Sequence, residues 1–105
     1  MGFFNRAPKV VKEIHDGIWG HLVSVHKINV DTLYNNIRCV EKGGMEGNTP
    51  VTLVRVFKLS DVASNGITIT GWETFDQHPN LILFEGYFDA HKNEAHLERR
   101  KSQVS

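Results

Sequence analysis

A single cysteine, Cys39, occurs in 105 residues. One thiol excludes an intramolecular disulfide framework and any zinc module built from paired cysteines. Net charge is equally scarce. Twelve Lys+Arg face 12 Asp+Glu, which argues against nucleic-acid binders and polybasic membrane proteins, since both need positive surface to engage phosphates. Long apolar runs are missing as well: the longest uncharged one is Leu81 to Phe84, far short of the roughly 20 residues that span a bilayer. No cationic stretch leads into an apolar run, so no signal peptide is expected, and Arg6 stands where a myristoylation signal wants Ser or Thr. Repeats and low-complexity segments are lacking. The glycine-rich run Gly43-Gly44-Met45-Glu46-Gly47 has neither the Gly-Lys-Ser/Thr ending nor the dinucleotide-binding spacing of a phosphate loop. These absences leave a cytoplasmic protein as the expectation, with no cofactor implied.

What remains is enough for one domain over 1–105, because folding a chain of this length buries roughly two-thirds of its unfolded surface. Residues 1–6 and 101–105 are expected to fray. The helical part is expected at about 8–42 and the sheet part at about 50–100.

Two readings compete for residues 8–27. The β-branched residues Val10, Val11, Ile14, Ile18, Val23 and Val25 favour strands, with His15-Asp16-Gly17 as a turn. Periodicity favours a helix: Val11, Ile14, Ile18, Leu22 and Val25 fall within a stripe of about 60°. We take the helix, whose stripe is flanked by Trp19, His15, His21 and His26, while Gly17, Gly20 and Ser24 share one side where a neighbour can approach closely. A second helix is expected over 31–42, capped by Asp31, striped by Leu33, Ile37 and Val40, and stopped by Gly43. After Pro50 the period changes, and strands are expected at about 51–59, 67–75, 81–90 and 94–100. The fold class is α+β: two N-terminal helices packed on a four-stranded, mostly antiparallel sheet.

Charge pairing sets the expected register of the last hairpin. With Lys92-Asn93 at the turn, His91 faces Glu94, Asp89 faces His96 and Glu85 faces Arg100, whereas moving the turn by one residue sets Asp89 against Glu98. Two strands carry apolar residues on both faces: Val51, Leu53 and Phe57 against Val54 and Val56, and Leu81 and Leu83 against Ile82 and Phe84. Two helices cover one sheet face, so a second copy of the chain is expected on the other, a homodimer first.

Candidate chemistry is thin. Asp89, His91, Glu94 and His96 gather His and carboxylate on adjacent strands and are the metal candidates, although a solvent-facing salt ladder explains them better, so no metal is assigned. His15 and His26 share an azimuth but lie about 16 Å apart along the helix, too far for one ion. Asp76 and His78 in a turn and Glu85 in the sheet are the acid–base candidates, although local turn bonds and Arg partners account for them better. Cys39, read on the second helix, has no His placed to activate it and is taken as inert. A ligand pocket is sought where Trp19, Trp72, Phe75 and Tyr87 converge, because aromatics give apolar walls with polar tips. The resulting expectation is a homo-oligomeric interaction or small-ligand-binding domain without enzymatic chemistry. A small acid–base enzyme is the alternative, and a winged helix-turn-helix nucleic-acid binder is a third, with Tyr34, Asn35 and Arg38 outward on its second helix. Against that third reading, residues 67–97 carry a net charge of −4, an acidic wing beside a polyanion. The same distribution predicts self-association or solubility that changes between about pH 7 and pH 5.5, as histidines gain charge.

Overall fold

A computed structural model describes residues 9–100, with side chains from residue 15 onward. Its elements are α1 (Lys9–Ser24), α2 (Val30–Asn36), β1 (Ile37–Glu46), β2 (Thr49–Lys58), α3 (Leu59–Ser64), α4 (Thr74–Gln77), a 3-10 turn (Pro79–Leu81), β3 (Ile82–Asp89) and β4 (Glu94–Arg99). The sheet is a meander in the order β1-β2-β3-β4, and all three pairings are antiparallel. The α+β class and the four-stranded antiparallel sheet therefore stand. The expected frayed ends and Pro8 lie outside the described residues, as do the side chains of Val11 and Ile14.

Residues 9–24 form a helix rather than a hairpin, and its stripe works as periodicity requires: Ile18 and Leu22 are fully buried. They pack on Val54, Val56, Phe84 and Leu97 of the sheet, together with Ile37. Val25 lies beyond the helix end and is exposed.

The second helix is a correction. It ends at Asn36, and Ile37 begins β1. Asn29, not Asp31, caps it, with Oδ1 accepting from the backbone N–H of Asp31 and Thr32. Ile37 to Val40 pair with Lys58 to Arg55 of β2, so long-range pairing overrides a helical stripe only three residues strong. Gly43 is inside the strand and stops nothing. The glycine-rich run 43–47 ends in the hairpin between β1 and β2, turning at Gly47 (φ 62°), where a residue without Cβ fits the left-handed backbone.

Residues 67–75 are also corrected: 67–73 run as an irregular segment into α4. Thr70 is tied to Thr74, whose Oγ1 accepts from the Thr70 N–H at 2.9 Å. The whole stretch 59–81 straps across one end of the sheet's second face, where Val62, Phe75 and Leu81 bury Phe57 and Ile82. The two-sided apolar pattern of β2 and β3 is thus covered at that end by the chain itself, and no second copy is needed there. A bulge at Leu83, between the Val56–Phe84 and Phe57–Ile82 pairs, lets Ile82 face the strap while Phe84 faces α1.

The last hairpin is shifted by two residues from the expected register. Asp89 faces Glu94, Phe88 faces Ala95, Tyr87 faces His96 and Gly86 faces Leu97. The Asp89 carboxylate accepts from the backbone N–H of His91 (2.9 Å) and Lys92 (3.2 Å), closing a turn in which Asn93 takes φ 53°. Volume also favours this register, since Leu97 lies opposite Gly86 and Phe88 opposite Ala95 beneath α1. A shift of two leaves every side chain on its original face.

Candidate functional site

On the sheet's second face, the part beyond the strap is open. Side chains there alternate from β2 and β3: Leu53 and Arg55 against Tyr87 and Glu85, paired directly. Trp72, from the irregular segment, stands beside them. Its carbonyl accepts from Arg55 Nη1 at 3.0 Å, and the Arg55 guanidinium lies 4.1 Å from the ring centroid, a cation–π contact. Asp76 completes the anchor with an ion pair to Arg55 at 3.0 Å. The result is a cleft of about 330 Å³ lined by Leu53, Arg55, Trp72, Glu85, Tyr87 and Glu46. An adjoining hollow of about 500 Å³ shares Glu46, Glu85 and Tyr87 and reaches His96 and His21 at the β4 edge.

Electrostatics around Tyr87 are one-signed. Partial burial first, and then the carboxylates of Glu46, Asp89 and Glu94, push its phenol above the ordinary value, so it is a neutral hydroxyl and not a phenolate. Its ring stacks on His96 at 4.9 Å. Glu85 is held by Arg100 Nη1 at 2.9 Å.

Of the four aromatic candidates, the structure brings together Trp72 and Tyr87. Phe75 is fully buried against Phe57 under the strap. Trp19 lines a separate hollow with Leu33, Tyr34, Ile37 and Arg38. The acid–base candidates do not assemble: Asp76 is paired to Arg55, Glu85 to Arg100, and His78 lines a different hollow with Thr70 and Thr74. The metal candidates do not converge either. Asp89 is committed to its turn, Glu94 pairs with His96 at 3.3 Å, and His91 is exposed. The premise of the nucleic-acid reading changes too, because α2 has seven residues and Arg38 belongs to β1.

A constellation that sequence reading missed lies on the other sheet face. Glu41 Oε2 accepts from Cys39 Sγ at 3.2 Å and pairs with His15 Nε2 of α1 at 2.5 Å. Among the described residues these are the three grouped ligand-type side chains, with one donor atom each within 4.8 Å of the others. Burial first, then the Glu41 carboxylate, pushes the Cys39 thiol far above its ordinary value. The signal was available only after β1 is read as a strand, when Cys39 and Glu41, two apart, fall on one face.

At the β4 edge, two histidines occupy the outward backbone groups of Leu97. Its N–H donates to His21 Nε2 at 3.4 Å, and its carbonyl lies 2.7 Å from His26 Nε2. No helix is long and apolar enough to cross a membrane among the described residues. No family model, no curated protein and no solved structure matches the chain.

Proposed function

We propose that this chain is a small-ligand-binding domain that performs no chemistry on its ligand, and that the open part of the second sheet face is its binding surface. The observation that carries this reading is the cleft between Leu53, Trp72 and Tyr87. The strap covers one end of an otherwise exposed face and stops there, leaving aromatic and aliphatic walls around about 330 Å³, within the size range of small-molecule sites. Trp72 is held by Arg55, which Asp76 anchors in turn, and needs no ligand to take its place, so the wall is preorganised. Glu46 at the rim favours ligands with a hydrogen-bond donor or a positive nitrogen. A cytoplasmic location accompanies this reading, since a lone, half-buried thiol suits a reducing compartment.

The test is a thermal-shift screen of the full chain against aromatic fragments, both neutral and amine-bearing. Compounds that raise Tm should lose at least about tenfold in affinity, roughly 1.4 kcal/mol, in Trp72→Ala and in Leu53→Arg. Hits that bind both variants as well as the parent chain, or turnover of a hit, would overturn the reading.

A homodimer is the second reading, favoured by a different observation. β1 is a ten-residue edge strand with no partner on its outer side among the described residues, whereas the β4 edge is occupied by histidines. An isologous β1–β1 pairing would satisfy such an edge, and twofold dimers are the commonest homo-oligomers. Light scattering at micromolar concentration decides it: a dimer that Cys39→Pro, which removes a strand N–H, converts to monomer supports the pairing, and a monomeric parent chain removes it.

A further inference from the structure

We propose that His15, Cys39 and Glu41 form a binding site for a divalent transition-metal ion, zinc first. The site lies on the face of the sheet under α1, away from the cleft, and goes beyond the ligand-binding reading. Its parts come from two elements that the fold holds together independently. Cys39 and Glu41 are alternate residues of β1, so their side chains emerge side by side. His15 descends from α1, which Ile18 and Leu22 fix onto the sheet.

Donor geometry is close to what a metal requires. Tetrahedral zinc, with bonds of about 2.0 Å to nitrogen or oxygen and about 2.3 Å to sulfur, sets its donors about 3.3–3.5 Å apart. Cys39 Sγ and Glu41 Oε2 already lie 3.2 Å apart. His15 Nε2 and Glu41 Oε2 lie 2.5 Å apart and need to part by less than about 1 Å to admit the ion. Both groups are partly exposed (37% and 29%), which leaves room for that movement and for a water as fourth ligand. Three protein ligands and one open position are the arrangement of an accessible zinc site.

The donor set selects the ion. A thiolate and an imidazole are poor ligands for magnesium or calcium, which take oxygen, and good ones for zinc, cobalt, nickel or copper. Charge closes as well: one thiolate and one carboxylate neutralise a divalent cation, so the half-buried site becomes neutral on binding. Binding displaces the thiol proton of Cys39 to solvent. In the metal-free chain the same neighbours keep that thiol protonated, and a metal ion inverts this preference.

Titration of the full chain with cobalt(II), a spectroscopic stand-in for zinc, tests the site. The expected result is one equivalent of tetrahedral cobalt with a sulfur-to-metal charge-transfer band, displaced by one equivalent of zinc. Cys39→Ser should abolish that band, and His15→Ala and Glu41→Gln should each weaken binding at least about tenfold, while His96→Ala leaves it unchanged. Far-UV circular dichroism of each metal-free variant establishes that it is folded. No charge-transfer band in the parent chain, a band retained in Cys39→Ser, or affinity lost in His96→Ala but kept in folded His15→Ala would each overturn the proposal.

Discussion

His21 links the edge of the sheet to pH. Its ring accepts from Leu97 N–H and meets His26 edge-on at 5.2 Å, with His96 close enough to add to the repulsion. Burial first, and then the charges of His26 and His96, lower its pKa from 6.5, while the Leu97 carbonyl, 3.4 Å from the same Nε2, works the other way. The unfolded chain therefore takes up this proton more readily than the folded one. The stability that follows is complete above pH 6.5 and is lost as the pH falls through the lower, folded-state value. Urea unfolding midpoints should fall between about pH 8 and about pH 5, and His21→Gln should fall less steeply over the same range. An identical slope in the variant would remove His21 from the account. Cys39 gives a second expectation at this scale. With burial and Glu41 both holding its thiol protonated, alkylation by iodoacetamide at mildly alkaline pH should be much slower in the folded chain than in urea, and Glu41→Gln should speed the folded reaction. Equal rates folded and unfolded would contradict the burial described here.

At the scale of elements, the two glycines of α1 separate sharply. A Cβ at Gly17 would lie 2.4 Å from Phe88 Cε1, whereas nothing lies within 4 Å of one at Gly20. Phe88 is buried and has little room to withdraw, so Gly17→Ala should destabilise by about 1–3 kcal/mol. Gly20→Ala should stabilise by up to about 1 kcal/mol, the helix-propensity gain. Thermal melts of the pair check this, and equal effects would mean that α1 does not lie on β3 as described. Gly17 and Ser24 had shared with Gly20 one side of a projected helix, and from sequence alone no contact distinguishes them. Other elements divide the same way. α1 was legible because Ile18 and Leu22 repeat at the helical period over a stretch long enough to outvote β-branching. β1 was not, because Leu33, Ile37 and Val40 imitate a helical stripe across a boundary that only pairing with β2 reveals. Surface charge pairs point the last hairpin onto its correct faces but into the wrong register, because the Asp89 turn and the fit of Leu97 opposite Gly86 decide it. Misplacing β1 then hid the Cys39–Glu41 pair. Trp72 and Tyr87 could be nominated from aromatic chemistry, but Phe75 could be assigned to the core only once the 59–81 strap was known to cross the sheet.

For the whole molecule, the central relation is between that strap and the face it half covers. Phe75 is its deepest anchor, fully buried and 4.8 Å, ring to ring, from Phe57. Phe75→Ala should cost about 3–5 kcal/mol and widen the open face, which calorimetry and dye binding would both register. The neutral total charge hides an asymmetry with a spatial meaning, since Glu46, Glu85, Glu94 and Glu98 belong to the hairpin ends and strands around Tyr87. The most direct test of the binding surface is an amide chemical-shift map of the full chain titrated with its tightest-binding aromatic fragment. The account predicts saturable shifts centred on Leu53, Trp72, Glu85 and Tyr87; shifts centred instead on the Trp19–Tyr34 hollow or on the Thr70–His78 hollow would contradict it.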